Sequence, residues 1–125
     1  MPSVPIDRRP LSESERRVLA HVLSMEFTGA SELRSQLDQV EVIAQWSLDS
    51  TSVDFQVRDV TARSTQLAGI IPVNAHVLNE AGDYVGELLV WLDHGVLAGL
   101  EYAWVTDDMP TVLPDVEQIR LNPRR

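Results

Sequence analysis

The sequence predicts an α+β domain, two N-terminal helices packed on a mainly antiparallel sheet of about five strands, and three observations point to it. Apolar residues recur at helical spacing only before residue 40, and from Val40 onward they alternate with polar ones. The alternating segments are separated by short turn signals rather than by helix-length stretches, which is the pattern of strands joined as hairpins. Residues 1–10 contain Pro2, Pro5 and Pro10 with no apolar period and read as an extended N-terminal arm. Residues 11–125 then make a single domain, a length that needs no second core.

Ser12-Glu13-Ser14-Glu15 is a capping box, in which the serine hydroxyl accepts from the Glu15 amide and the Glu15 carboxylate reaches back to Ser12. The first helix starts there, buries Leu11, Val18, Leu19, Val22 and Leu23, runs to about Met25 and stops near Gly29. A second helix fits 30–39, with Ala30, Leu33, Leu37 and Val40 along one side. Val40, Val42, Ala44, Trp46 and Leu48 alternate with polar residues, and after the turn Asp49-Ser50-Thr51-Ser52 so do Val53, Phe55 and Val57, which makes a hairpin with one wet face. Residues 59–69 have no period and read as one long connection. Ile71 to Val77 alternate again, with Pro72 placing that strand at its start or at an edge. Tyr84 to Leu92 and Val96 to about Val105 follow, joined by Asp93-His94-Gly95 with Gly95 in a left-handed position after a type I turn. These last two strands are the most apolar and belong at the centre of the sheet, with the helices over one face. Pro114 opens one helical turn before Ile119-Arg120-Leu121.

Composition narrows the function classes. Ten Lys+Arg against 19 Asp+Glu give a net charge of -9, and the excess lies wholly in 37–125 because 1–36 carry equal numbers of acids and arginines. An acidic body repels phosphate backbones and anionic lipid, so neither nucleic acid nor a membrane surface is an expected partner, whereas a basic protein is. All the cations are arginine, which reads as GC-rich codon usage or salt adaptation. With no cysteine there is no disulfide, thiolate nucleophile or cysteine metal site, and a cytoplasmic location is the expectation. The opening Met1-Pro2-Ser3-Val4-Pro5-Ile6 lacks the apolar core of a secretory signal, and the run Leu88-Leu89-Val90-Trp91-Leu92 is far short of the roughly 20 residues that cross a bilayer.

No spacing matches a catalytic or cofactor motif, so no catalytic residue, cofactor or metal ligand is assigned. His21, His76 and His94 fall on different elements, which disfavours a two-histidine metal site. Asp107 and Asp108, with Glu101, Asp115 and Glu117 nearby, could surround a hard cation, yet no Asp-x-Asp-x-Asp-Gly loop spaces them, and a solvated acidic loop is the simpler reading. Gly82, Gly86, Gly95 and Gly99 fall at turns or inside strands, and no glycine-rich loop precedes a helix as a phosphate cradle does. The aromatic residues are more informative. Tyr102 and Trp104 share one face of the last long strand, and Trp104 leads into Asp107-Asp108-Met109. An aromatic anchor rimmed by acids is how a surface recognises an arginine-rich partner, so Tyr102, Trp104, Asp107, Asp108 and Met109 form the candidate binding set; the simpler alternative is that Trp104 closes the core.

The stretch Gly86-Glu87-Leu88-Leu89-Val90-Trp91, Gly95, Leu100-Glu101-Tyr102-Ala103-Trp104-Val105-Thr106-Asp107 and Met109-Pro110-Thr111, closing at Leu113-Pro114, resembles a small-protein family of unknown function from GC-rich bacteria. The likeness covers mainly 84–114 and, loosely, Glu32 to Leu37. Many members of that family carry cysteines where this chain has Trp46, Leu48 and Ser50, so a metal or redox role of such members does not transfer. The resemblance implies a compact α+β domain and no particular activity.

Three functions remain. The first is a non-catalytic protein-interaction domain, in its most concrete form an acidic immunity-type inhibitor of a basic partner, for which charge complementarity speeds association. The second is a homodimer that uses the strand at 70–78 or the outer face of 96–105. The third is a small-ligand-binding protein or enzyme with a shallow pocket beneath the helices and His76 or His94 as acid or base.

Overall fold

A computed structural model describes residues 3–66 and 68–124; Met1 and Pro2 of the arm, Leu67 of the connection, and Arg125 lie outside the described residues. The elements in order are β1 (Val4–Pro10), α1 (Glu13–Val22), α2 (Ala30–Gln36), β2 (Val40–Gln45), β3 (Val53–Val57), β4 (Ala68–Ile70), β5 (Val73–Leu78), β6 (Tyr84–Asp93), β7 (Val96–Trp104) and β8 (Ile119–Pro123). Single 3-10 turns lie at Leu37–Gln39 and Val116–Gln118. The fold is α+β and its strand pairings are antiparallel, but the sheet has eight strands rather than about five, and the helices lie between β1 and β2 rather than ahead of the sheet.

The strand order is β1-β2-β3-β7-β6-β5-β8, with β4 also on β6, so β6 and β7 are central as their apolar sequences require. The three additional strands are the outermost or the shortest of the sheet, where apolar alternation is weakest. Residues 4–10 are extended, and they pair with β2 as the sheet's outermost strand, where Pro5 and Pro10 are tolerated because an edge needs hydrogen bonds on one side only. β8 closes the opposite edge against β5, and β4 is a three-residue stretch separated from β5 by Pro72. The Ile71 amide still donates to the Val90 carbonyl at 3.0 Å, but Pro72 has no N–H to continue the ladder. Because β8 pairs along Val73 to Val77, the strand at 70–78 does not offer that stretch as a free edge for a second copy.

The capping box forms as its residues dictate: the Glu15 amide donates to Ser12 Oγ at 3.1 Å and the Ser12 amide donates to Glu15 Oε1 at 2.8 Å. Arg9 of β1 adds a fork, donating to the two Glu15 carboxylate oxygens at 2.8 and 3.0 Å and so tying the edge strand to α1. Burial pushes the Glu15 carboxyl up, but the Arg9 guanidinium and the Ser12 donors outweigh it and hold the group below its ordinary value. α1 ends about a turn earlier than expected, at Val22 with Leu23 as its cap, and Gly29 begins α2 instead of stopping α1. Gly29 does so at φ +93°, where a Cβ would run into the Ser64 side chain.

Val18, Leu19, Val22 and Leu23 of α1 and Leu33 of α2 pack on the sheet face that carries Val42, Val53, Phe55, Leu88, Val90 and Leu100. Each fully buried leucine in this set contributes on the order of 2 kcal/mol. One polar side chain lies among them. Gln36 is 2% exposed, donates from Nε2 to the Ala62 and Gly95 carbonyls at 2.9 and 3.2 Å, and accepts the Leu97 amide on Oε1 at 2.9 Å. It thereby fastens α2 to the 59–66 connection and to the β6–β7 turn. In that turn both His94 (φ +53°) and Gly95 (φ +75°) are left-handed, which marks a two-residue type I′ hairpin instead of the type I turn expected. Among the described residues no helix is long and apolar enough to cross a membrane.

Candidate functional site

The sheet carries a notch. β3 pairs with β7 only at Val53↔Leu100 and Asp54↔Gly99, whereas β7 continues against β6 as far as Trp104. Along residues 101–104, therefore, one flank of β7 meets a strand and the other meets the β2–β3 connection. The Tyr102 amide, which would have bonded a longer β3, donates instead to Ser52 Oγ at 2.9 Å, and the Ser52 amide is held by Ser50 Oγ at 3.0 Å. Both serines are buried, which turns a sequence-level turn signal into a packed wall.

The notch opens into a cleft of about 770 Å³ lined by Trp46, Trp91 and Trp104, all the tryptophans of the chain, together with Tyr102, Asp54 and Glu101. Asp54, Trp91 and Glu101 belong to the sheet face away from the helices, as the register of β3, β7 and β6 requires. Asp54 and Trp91 both sit opposite Gly99, where a Cβ would press on the Val53 carbonyl at 3.0 Å. Tyr102 and Trp104 have the other parity on β7 and line the cleft because no strand covers that flank. Each carboxylate is fixed by an indole. Trp46 Nε1 donates to Asp54 Oδ1 at 3.0 Å, and Trp91 Nε1 donates to Glu101 Oε1 at 3.0 Å. Neither Asp54 nor Glu101 is in an ion pair among the described residues, although Glu15, Glu41 and Glu87 each hold an arginine.

The candidate binding set is brought together only in part. Tyr102 is 6% exposed, its ring over Gly86, where a Cβ would come within 2.7 Å of Tyr102 Cε1; burial pushes its phenol up. Trp104 is 38% exposed and lines the cleft without closing the core. Met109 lies at the rim, where Ser47 Oγ donates to its sulfur at 3.8 Å, bringing the loop after β7 against the β2–β3 connection. Asp107 and Asp108 are exposed in that loop and do not line the cleft. Trp46, Trp91, Asp54 and Glu101 were not in the set. Alternation places Trp91 and Glu101 on outward positions of their strands, but nothing local shows that Asp54 and Trp46 arrive beside them.

The histidines lie elsewhere. His76 packs edge-on against Tyr84 with ring centroids 5.4 Å apart and has Glu87 at 3.8 Å, and Glu87 also receives Arg124 at 2.7 Å. His94 sits in the hairpin turn with Nδ1 2.9 Å from Asp93. Neither imidazole lines the cleft, and the cleft does not lie beneath the helices. Among the described residues no group of three or more histidine, aspartate or glutamate side chains could hold a metal ion. No protein-family model matches the chain, and neither a curated protein nor a solved structure does.

Proposed function

We propose that the protein is a non-catalytic interaction domain that binds a basic protein, in the manner of an acidic immunity-type inhibitor, through the cleft at the β3–β7 notch. The observation that supports this reading is the gathering of all three tryptophans around two carboxylates in one open cleft of a chain with net charge -9. Tryptophan is the side chain most enriched among residues that dominate binding energy, and it is costly to leave part-exposed without a partner. The acidic loop at Asp107 and Asp108 stands beside the cleft and supplies long-range attraction for a cationic partner.

The test is affinity capture from native extract with the parent protein and with Trp104→Ala, at low and high salt. A basic protein retained stoichiometrically by the parent, released as salt rises and lost with the variant, supports the proposal. Equal retention by both overturns the cleft as the docking site. With the captured protein in hand, Asp107→Ala combined with Asp108→Ala slows association and flattens its salt dependence, as measured by stopped flow.

A further inference from the structure

We propose that the cleft is a guanidinium site, which takes one arginine side chain between its indoles and against Asp54 and Glu101. This deepens the interaction reading by naming the group recognised, and rests on it only for the claim that the arginine belongs to a protein. Each carboxylate spends one oxygen on an indole N–H, at 3.0 Å in both cases, and among the described residues Asp54 Oδ2 and Glu101 Oε2 accept no hydrogen bond and join no ion pair. Two anions are thus held in fixed orientation with acceptor capacity left over, next to aromatic surface that is part-open to solvent, Trp91 at 37% and Trp104 at 38%. A cation is the occupant that such charge and such surface complement.

The kind of cation follows from the same inventory. A hard metal ion needs about six or more oxygen ligands with several carboxylates among them, and among the described residues no three acidic or histidine side chains converge here or elsewhere. A quaternary ammonium would use the rings and leave the carboxylate oxygens without a donor. An ammonium would use the carboxylates as a compact, strongly hydrated charge and gain little from the indoles. A guanidinium uses both, because its plane stacks on aromatic faces while its five N–H donors meet acceptors at its edge. The indole bonds keep Asp54 and Glu101 oriented before the cation arrives, so little side-chain freedom is lost on binding.

The experiment is a nuclear magnetic resonance titration of the indole N–H signals of the whole protein with Nα-acetyl-arginine amide, Nα-acetyl-lysine amide and tetramethylammonium chloride at matched ionic strength. The expected result is saturable movement of the Trp46 and Trp91 signals with the arginine probe, at an affinity about tenfold or more above that for either other cation, or about 1.4 kcal/mol. Asp54→Asn and Glu101→Gln keep an acceptor for each indole and remove the charge, and each is expected to weaken the arginine probe about tenfold. Equal affinity for the three cations, or no saturable movement with arginine, overturns the proposal on the parent protein alone, whatever the variants do. Trp104-dependent capture of a basic protein together with equal affinity for the probes overturns the guanidinium site and leaves the interaction domain. Saturable, selective arginine binding with no protein captured supports the site and removes the protein partner.

Discussion

At the helix-covered end of the sheet, Gln36 closes a polar circuit: both its polar atoms meet backbone groups, two on separate loops and one on β7, and the side chain is out of reach of water. At the notch, Asp54 and Glu101 are also hydrogen-bonded, but by side chains that are themselves part-exposed, and among the described residues each keeps an oxygen free. Both regions lie against the same strand, β7, and both substitute side-chain bonds for a missing ladder partner. The difference is in what remains after pairing. A circuit whose donors are all spent out of reach of water serves the fold alone, and one with charged acceptors to spare beside an open cleft is equipped to meet something else.

The comparison breaks first at Gln36. Gln36→Leu leaves the Leu97 amide and the Ala62 carbonyl without their partner and is expected to cost about 2–4 kcal/mol, read as the shift in urea midpoint. A loss under about 1 kcal/mol would mean the circuit is dispensable. Gly95→Ala comes next, at about 2 kcal/mol, because φ is +75° and the new Cβ would meet the Ser64 carbonyl at 2.5 Å. Unchanged stability there would show that the 59–66 connection can shift. The Arg9–Glu15 fork gives a smaller, pH-dependent effect. Since Glu15 is held below its ordinary value near 4.5, its contribution is fully present above that pH and is lost as pH falls through the lowered folded value. Glu15→Gln should therefore flatten the acid limb of stability against pH and do little to its slope at neutral pH; parallel acid limbs would contradict this. The smallest stability effect belongs to the notch. Trp91→Phe removes one indole donor from an open site, should cost under about 1 kcal/mol, and should release the Glu101 orientation seen by the arginine probe. A larger loss would place the notch with the closed circuit.

Local chemistry was legible and long-range pairing was not. The capping box, the hairpin of β2 and β3 and the central pair β6 and β7 follow from residues within a few positions of one another. The strands at the margins did not announce themselves, since prolines at 5, 10 and 72 erase the alternation that an edge can do without. The candidate site divides along the same line. Tyr102 and Trp104 are neighbours on one strand and could be nominated; Trp46 and Asp54 arrive through the β3–β7 pairing, and no periodicity encodes which strand lies beside which. Asp107 and Asp108 were conspicuous as a charged pair, yet a loop places them beyond the cleft that the less conspicuous Asp54 and Glu101 occupy.

The short seam between β3 and β7 joins segments 50 positions apart at the Tyr102–Ser52 bond. Half the cleft, Trp46 and Asp54, precedes the connection after β3, and the other half, Trp91, Glu101 and Trp104, follows it. Neither half of the chain carries a site. If the chain were cut within that connection, arginine recognition would report the reassociation of the two fragments, since the site exists only once they have found each other. In the intact chain the same separation makes binding competence depend on a long-range pairing, since the site is complete only after β3 has met β7.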